Sequence, residues 1–235
     1  MERGLVESRS KAHALVMAGL VFSGEQRLDK PGRMVDADLA VEVRGAPHPW
    51  VSRGGVKLAH GLEHFAISPV GLVCLDVGAS TGGFTDVLVQ GGASRVYAVD
   101  VGKGQLDWKL RTDPRVVVRE GVNARALSVV EVPEPIDLIV CDASFIGLET
   151  VLPAALTLAK PAARLLALIK PQFEVGKGRV GKGGVVRDES LHTEVTARVQ
   201  EWLASQGWTV EGVVPSPILG PKGNREFLIA AHKRA

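Results

Sequence analysis

The sequence predicts an α/β fold in which a seven-stranded, mostly parallel sheet follows a small N-terminal α+β domain. The first observation is that seven short apolar runs alternate with helical patterns, as in open sheets built from strand–helix–strand units. Those runs cover residues 73–76, 95–100, 116–118, 137–142, 165–169, 209–214 and 226–231. The second is that several runs end in a charged residue or a glycine turn, as strands do beside a ligand site. The third is that residues 1–43 are organised differently.

Composition indicates a protein with one substantial core and a small appendage. The chain has 235 residues, 46% of them hydrophobic, and a formal net charge of +2, which permits nucleic-acid binding without arguing for it. Cys74 and Cys141 lie inside apolar runs and lack C-x-x-C spacing, so we expect buried, reduced thiols, and we predict no metal site. No segment has the ~18 consecutive apolar residues of a membrane helix, and no leader pattern is present, so we expect a cytoplasmic location and no membrane partner.

Residues 1–43 predict a helix and a short strand that carry basic side chains. Ser8 is placed to cap a helix that ends at Met17, and the apolar run 20–22 predicts a strand. Residues 1–60 contain nine basic and seven acidic residues, whereas the rest of the chain is balanced. A solvated basic face explains this excess as well as RNA binding does. The basic residues concerned are Arg9, Lys11, Arg27, Lys30 and Arg33.

The order of these features resembles a known RNA-binding module, found in a small-subunit ribosomal protein, pseudouridine synthases and tyrosyl-tRNA synthetases. The resemblance is carried by stretches 2–12, 17–22 and 29–32. In that module a helix pair and a short hairpin present basic residues to structured RNA, so the resemblance implies RNA binding by the five basic residues above. The sequence begins inside the module's usual pattern, which implies a shortened first helix. A Pro-rich break predicts a linker over 44–51, between a domain over 1–43 and a second domain over 52–235.

The stretch 73–86 predicts a ligand-binding turn between a strand and a helix. An apolar run ends in Asp76, and small residues follow before the first apolar positions of a helix. Glycine lets the backbone approach a ligand, and the N–H groups of a helix N-terminus suit a carboxylate or phosphate. The spacing is not G-x-G-x-x-G, and Gly-x-x-x-Gly-Gly after an acid fits S-adenosylmethionine better; a tight turn without a ligand is the alternative. The predicted cofactor residues in this stretch are Asp76, Gly78, Ser80, Thr81, Gly82, Gly83 and Phe84.

Three charged residues stand at the ends of predicted strands and would share the edge of the glycine turn. Asp100 ends the second strand, where an acid commonly accepts hydrogen bonds from both ribose hydroxyls of a nucleotide ligand. Val101 beside it and Asn123 after the third strand are further predicted cofactor residues. Asp142 and Lys170 end the fourth and fifth strands. Three such charges together favour a functional site at this edge.

The residues around Asp142 favour oxygen as the acceptor of a methyl group. Asp142 lacks the Pro-Pro-aromatic sequence that follows it in enzymes that methylate exocyclic amino groups, and no Pro-Cys of a cytosine carbon methylase occurs. A ribose hydroxyl is a poor nucleophile at neutral pH, so it must be oriented and its proton removed. A lysine can do this when burial or a nearby cation lowers its pKa, and Asp142 is placed to hold two lysines in register.

The chain resembles the TlyA family, which joins the RNA-binding module to an FtsJ-like ribose 2'-O-methyltransferase. The resemblance covers nearly the whole chain and is most specific at 52–57, 76–85, 98–102, 170–174, 181–188, 215–221 and 224–228. It implies a Rossmann-like S-adenosylmethionine-dependent methyltransferase sheet of seven strands with a small N-terminal α+β RNA-binding domain. It also implies methylation of a ribose 2'-hydroxyl, of a cytidine, in ribosomal RNA, with ribosomal subunits as partners. The FtsJ-like catalytic set falls on Lys57, Asp142, Lys170 and Glu226.

Two other functions stay open on the sequence: a haemolysin, a name attached to this family, and a non-catalytic RNA-binding or ribosome-binding factor. No membrane-spanning or strongly amphipathic cationic helix favours the first, and the charged strand ends disfavour the second. The glycine-rich loop 176–184 is either a mobile surface loop or a functional one, which would be a lid or an RNA-backbone contact that includes Lys182.

Overall fold

The computed structural model describes residues 5–6, 9–17, 19–36, 38–43, 48–176 and 178–234. Contacts between Cα atoms divide the chain into two compact units, Met1–Pro49 and Trp50–Ala235. The division follows directly after the Pro-rich break in the sequence, and each unit is built around its own sheet.

The first unit, in its described part, contains one helix and a three-stranded antiparallel sheet of order β2-β1-β3. Its elements are α1 (Arg9–Met17), β1 (Val21–Ser23), β2 (Gln26–Arg27) and β3 (Glu42–Val43). β1 and β2 form a hairpin that turns at Gly24, whose positive φ of 54° a glycine adopts without strain. The helix ends at the predicted residue and the strand lies one position later than predicted. Ser8, predicted as the helix cap, lies outside the described residues.

The second unit contains a seven-stranded sheet of order β6-β5-β4-β7-β8-β10-β9. Its strands are β4 (Val73–Val77), β5 (Arg95–Asp100), β6 (Val116–Glu120), β7 (Ile136–Cys141), β8 (Ala159–Ile169), β9 (Trp208–Pro215) and β10 (Phe227–Lys233). Neighbouring strands from β6 through β8 run parallel, whereas β10 is antiparallel to both β8 and β9. The prediction of a seven-stranded, mostly parallel sheet is confirmed.

Helices cover both faces of this sheet. They are α2 (Gly54–His64), α3 (Gly83–Gln90), α4 (Trp108–Arg111), α5 (Leu148–Val151), α6 (Pro153–Thr157), α7 (Pro171–Glu174) and α8 (Glu189–Ser205). Side chains alternate between the two faces of each strand, so the sheet separates two apolar cores. One face packs Ile139 and Leu165 against α8, and the other packs Leu138 and Leu166 against α2 and α3.

The structure extends β8 well before the predicted start at 165. The strand begins at Ala159, but its first part has exposed residues and Ala162 at a φ of +59°. Its pairing with β7 is also irregular between Ile136 and Leu138. Because this part lacks the apolar character of a buried strand, hydrophobic patterning did not identify it.

Both cysteines are buried, as predicted. Cys74 and Cys141 are fully excluded from solvent on opposite faces of the sheet. Burial raises the pKa of each thiol to about 12, so neither is a reactive thiolate at neutral pH. None of the helices in the described part of the chain combines the length and hydrophobicity needed to cross a bilayer.

Candidate active site

The glycine turn between β4 and α3 brings the backbone of two strand ends into close contact. Gly78 has a φ of +84°, and a side chain there would lie 3.0 Å from the backbone N and Cα of Ala143, which follows β7. The N–H groups of Gly78 and Ala79 both donate to the carbonyl oxygen of Val99, at 2.9 and 3.0 Å. The absence of a side chain at Gly78 therefore allows the turn to close onto its neighbouring strands.

A cleft of about 410 Å³ opens at the carboxyl edge of the sheet, beside this turn. We call it the larger cleft, and its volume lies within the ~300–1,000 Å³ usual for small-molecule sites. It is lined by Val77, Gly78, Ser80, Val99, Asp100, Val101, Gly102, Gln105, Val122, Asn123, Ala124, Asp142, Ala143, Ser144, Phe145, Ile146 and Val151. Most of these residues lie at the ends of β4, β5, β6 and β7 or in the loops that follow, where ligands bind in open α/β sheets, and Val151 belongs to α5.

Asp100 connects two walls of the larger cleft. One carboxylate oxygen, Oδ2, accepts a hydrogen bond from the Ser80 N–H at 2.8 Å, and Oδ1 accepts from the Gly102 N–H at 2.7 Å. Each carboxylate oxygen has two lone pairs, so both retain capacity for ligand hydroxyls. Asp100 is thus placed both to fix the turn and to meet a ligand in the cleft.

Glu120, at the end of β6, fixes the loop that forms another wall of this cleft. Its carboxylate accepts hydrogen bonds from three consecutive N–H groups, of Gly104, Gln105 and Leu106, at 2.8 to 3.3 Å. The Arg111 guanidinium lies 2.5 Å from the same carboxylate. These bonds, with that of Arg111 the strongest, lower the pKa of Glu120 to about 2, so the carboxylate stays charged at any working pH.

Asp76 lies beneath the glycine turn, fully buried in β4. The Thr85 hydroxyl donates to its Oδ2 at 2.6 Å, whereas Oδ1 has no hydrogen-bond partner among the described residues. Burial is the main cause that raises the pKa of Asp76 to about 7; the charges of Asp142 and Asp100 add to it, and the bond from Thr85 opposes it. This carboxyl group supports the turn from below and lines neither cleft.

A second cleft, of about 270 Å³, adjoins the first and is called here the smaller cleft. It is lined by Ser52, Arg53, Gly54, Lys57, Gly78, Ala79, Ser80, Thr81, Gly83, Phe84, Asp142, Ser144 and Lys170. Gly78, Ser80, Asp142 and Ser144 line both clefts, so the two spaces meet at these residues. A ligand in the larger cleft would therefore lie beside the lysines of the smaller one.

Two ion pairs lie at this edge of the sheet, one fully buried and one with a buried lysine and a partly exposed Asp142. The Lys57 Nζ is 2.5 Å from Glu226 Oε2, and the Lys170 Nζ is 2.5 Å from Asp142 Oδ1. Both lysine side chains are at most 8% exposed. Because burying charged groups costs free energy that their attraction only partly returns, such pairs contribute little to stability and are more informative about chemistry.

The elements explain why these four residues meet. Lys57 lies on the buried face of α2, and Glu226 directly precedes β10, whose antiparallel direction brings its first residues to the edge where the parallel strands end. Asp142 and Lys170 directly follow β7 and β8. The sequence analysis placed two lysines on Asp142; in the structure each lysine has a carboxylate of its own.

The predicted catalytic and cofactor-binding residues of the second unit can be sorted by the cleft that they line. Gly78, Ser80, Asp100, Val101, Asn123 and Asp142 line the larger cleft. Thr81, Gly83, Phe84, Lys57 and Lys170 line the smaller one, which also includes Gly78, Ser80 and Asp142. Asp76, Gly82 and Glu226 line neither and lie behind the residues that do.

Sequence reasoning missed residues that follow Asp142 in the loop after β7. Ala143, Ser144, Phe145 and Ile146 line the larger cleft, and Phe145 is 90% exposed with a φ of +66°. The strand-end rule that identified Asp142 applies equally to the next few residues of the loop. Applying it there would have found them, since loops at this edge carry ligand contacts.

Most residues predicted to bind RNA are exposed. Arg9, Arg27, Lys30 and Arg33 are exposed in the first unit, and Lys182 is exposed in the second. The side chain of Lys11 lies outside the described part of the structure. Exposure of these cations is compatible with contacts to phosphates.

The larger cleft fits S-adenosylmethionine in its size and polar groups. The Asp100 carboxylate lines the larger cleft and can accept hydrogen bonds from the ribose hydroxyls of the cofactor. At Gly78 the backbone itself lines the cleft, because this residue has no side chain. The methionine end has a carboxylate, for which N–H groups at the start of α3 are suited.

A model of the FtsJ-like methyltransferase family matches residues 50–233. The chain belongs to this family. The match confirms the resemblance found in the sequence. The chain is therefore an S-adenosylmethionine-dependent methyltransferase, and its sheet is of the Rossmann-like kind.

Several relatives are similar over nearly the whole chain. One is the 16S/23S rRNA (cytidine-2'-O)-methyltransferase TlyA of Mycobacterium tuberculosis, 48% identical over 97% of this chain and 86% of the relative. Another is hemolysin A of Brachyspira hyodysenteriae, 40% identical over 96% of this chain and 94% of the relative. A solved structure of a hemolysin candidate from Streptococcus thermophilus is 42% identical, with a TM-score of 0.82 over 99% of this chain and 86% of that one.

Proposed function

We propose that this FtsJ-like methyltransferase methylates a ribose 2'-hydroxyl, of a cytidine, in ribosomal RNA. The observation that carries the proposal is the position of the two ion pairs, Lys57–Glu226 and Lys170–Asp142, with their buried lysines in the cleft that adjoins the larger one. A methyltransferase acting on a hydroxyl needs a group that removes a proton next to the cofactor, and these lysines lie where that group is required. The substrate named for the Mycobacterium tuberculosis relative supports ribosomal RNA.

The cofactor is proposed to lie in the larger cleft. When bound, S-adenosylmethionine supplies a methyl group made electrophilic by a positively charged sulfur. Asp100 and Asn123 are proposed to hold its nucleoside part, with Val101 against it. The turn residues Gly78, Ser80, Thr81, Gly82, Gly83 and Phe84 are proposed to receive its methionine part, and Asp76 to support them from below.

Lys170 is proposed to take the proton of the ribose hydroxyl. Lys170 lines the smaller cleft next to Asp142, which lines both clefts and holds the Lys170 Nζ by an ion pair and through its backbone carbonyl. Lys57, held by Glu226, is proposed to orient the same hydroxyl from the other side of the smaller cleft. Fixing the hydroxyl in this way could supply several of the ~7–11 kcal/mol available from ideal orientation.

RNA recognition is assigned to the first domain. We propose that residues 1–43 form an RNA-binding module, joined by a linker at 44–51 to the methyltransferase domain over 52–235. Its exposed cations, together with Lys182 in the second domain, would contact the RNA backbone of a ribosomal subunit, and the reaction would take place in the cytoplasm.

The test combines cofactor binding with mapping of the product. Isothermal calorimetry with S-adenosylmethionine should show binding by the full chain, whereas a haemolysin or a non-catalytic RNA-binding factor should show none. Labelled S-adenosylmethionine should then transfer its methyl group to unmodified ribosomal subunits, and nucleoside analysis should find 2'-O-methylcytidine. Cofactor binding without any labelled ribosomal RNA would contradict the proposed substrate.

A further inference from the structure

The environment of Lys170 contains a third acceptor in addition to the two atoms of Asp142. The Nζ lies 3.0 Å from the Ser144 hydroxyl oxygen, 3.3 Å from the Asp142 carbonyl oxygen and 2.5 Å from the Asp142 Oδ1. Two of these contacts, to the Ser144 hydroxyl and to the Asp142 carbonyl, are hydrogen bonds donated by Nζ, and the third is an ion pair without hydrogen-bond geometry. The Nζ is therefore held against the loop that follows β7.

If Lys170 is the base, it must lose the proton it has taken up before the next reaction. For each methyl group transferred, one proton leaves the ribose hydroxyl, and Lys170 must release that proton before it can act again. Its side chain is only 8% exposed, so direct contact of Nζ with bulk water is restricted. While a substrate fills the smaller cleft, which Lys170 lines, a neighbouring group that reaches solvent offers the proton a way out.

Among the three acceptors, the Ser144 hydroxyl is the one suited to this task. A carbonyl oxygen accepts hydrogen bonds but has no proton to pass on, and a carboxylate binds a proton far more weakly than an amine does. A hydroxyl accepts one proton while donating another, so it passes a proton without holding a charge. Ser144 is exposed and lines both clefts, so its outer side faces solvent.

The loop that carries Ser144 is fixed to the element that follows Lys170. The Leu148 N–H donates to the buried Glu174 carboxylate of α7 at 2.8 Å, and the rings of Phe145 and Phe173 lie 5.1 Å apart. These contacts lie beyond Ser144 in the loop, while Asp142 holds the loop before it. The distance from the Ser144 hydroxyl to Nζ is therefore set by the fold.

We propose that Ser144 relays protons between Lys170 and bulk water during methyl transfer. Nζ gives the proton it took from the ribose hydroxyl to Oγ of Ser144, and the hydroxyl gives its own proton to a water molecule. Lys170 returns to the neutral amine, Ser144 is unchanged, and one proton enters the solvent. The contact argued here is the one between Ser144 and Lys170, so Ser144 acts through Lys170 as a positioning residue, and its role rests on the proposed function of Lys170.

The charged groups around Lys170 also influence how fast it gives up a proton, so the test leaves them unchanged. They are Asp142 on the same loop, the Lys57–Glu226 pair across the smaller cleft, and Arg53 at its rim. Substituting Ser144 removes no charge, so the electrostatic surroundings of Nζ stay the same.

The first measurement needs neither cofactor nor RNA. In the full chain labelled with ¹⁵N at lysine Nζ, NMR measures how fast the Lys170 ammonium protons exchange with water. A relay predicts that Ser144→Ala slows this exchange about tenfold, whereas Ser144→Thr, which keeps the hydroxyl, restores it. A hydroxyl that only accepts a hydrogen bond would shield the ammonium, so its loss would accelerate exchange. Exchange in Ser144→Ala that equals or exceeds the wild-type rate overturns the proposal.

The second measurement uses single-turnover methyl transfer at saturating cofactor and RNA. Ser144→Ala should be slowed, and small buffers such as imidazole should restore its rate with increasing concentration, because they carry the proton instead. Ser94→Ala serves as the control, since this exposed serine donates to Leu72 at the opposite edge of the sheet. A Ser144→Ala rate that does not respond to buffer contradicts the relay. If the wild-type chain transferred no methyl group to ribosomal RNA, the proposed function would fail, and proton exchange alone would decide the role of Ser144.

Discussion

Lys170 and Asp142 form the ion pair on which the proposed chemistry depends. We expect Lys170→Ala to lower the single-turnover rate by about 10²–10⁴-fold, the usual contribution of a general base, while cofactor and RNA still bind. Lys170→Arg should not restore the rate, since an arginine keeps its proton at any working pH. The double substitution with Asp142→Ala should be little worse than either single one, because the pair acts as a unit. Near-normal turnover by the Arg variant would exclude a base at this position.

The buried carboxyl of Asp76 predicts an unusual pH dependence of stability. Its pKa is about 7 in the folded chain against 3.8 for a free side chain, because burial disfavours the charged form. Between these values the folded chain keeps a proton that the unfolded chain has lost, so the free energy of unfolding falls as pH rises, by up to ~1.4 kcal/mol per pH unit.

Thermal melts of Asp76→Asn between pH 4.5 and 7.5 check this prediction. The amide cannot titrate and can still accept the bond from Thr85, so the difference in Tm between wild type and variant should change steadily across this range. Asp113→Asn is the matched control, because Arg115 lowers the pKa of Asp113 and that variant should show no such trend above pH 4.5. A constant Tm difference for Asp76→Asn would contradict a raised pKa.

At the scale of elements, the loop after β5 depends on one carboxylate. Glu120 accepts three backbone N–H bonds from this loop, which lines the larger cleft, the proposed cofactor site. We expect Glu120→Gln to weaken S-adenosylmethionine binding about tenfold, since hydrogen bonds to a charged group are worth ~1.5–3 kcal/mol each and some are retained by the amide. Calorimetry at pH 7.5 measures the change. Glu131→Gln is the control: Glu131 accepts similar bonds from Ser128, which belongs to neither cleft, whereas the loop held by Glu120 contributes Gly102 and Gln105 to the larger cleft.

The same carboxylate sets an acid limit for the loop. The folded pKa of Glu120, about 2, lies below the ordinary value of 4.5, so its contribution to stability is complete above pH 4.5 and is lost as pH falls toward 2. We therefore expect no change in the loop's hydrogen bonding between pH 5 and 8. Hydrogen exchange of the Gly104 amide over that range should stay constant after correction for its intrinsic rate.

Elements with a local signal could be predicted, and contacts between distant elements could not. The strand ending at Asp100 was predicted to the residue, because its apolar run and acidic end are both local features. The pairing of Lys57 with Glu226, 169 positions apart, depends on how α2 and β10 pack against the sheet. The sequence indicated that both residues reach one edge, but it contained nothing that determined which carboxylate each lysine meets.

At the scale of the whole molecule, RNA binding and methyl transfer are proposed to lie in different domains. We expect a variant with Arg27, Lys30 and Arg33 all changed to alanine to bind ribosomal RNA more weakly and with a smaller dependence on salt. Removing one cation that pairs with a phosphate should reduce the slope of log K against log salt by ~1. Filter binding across a salt series measures the slope, and unchanged calorimetry with S-adenosylmethionine controls for folding of the second unit. An unaltered slope would contradict a role for these residues in RNA binding.

The place of β10 in the sheet affects the order in which the protein becomes active during its synthesis. β10 is the last strand in sequence, yet it lies between β8 and β9, and it carries Glu226 next to its first residue. A ribosome that has translated as far as β9 has already produced Lys57, Asp142 and Lys170, but the strand that must separate β8 from β9 does not exist yet. Until β10 inserts, the sheet therefore lacks an interior strand and Lys57 lacks its partner Glu226.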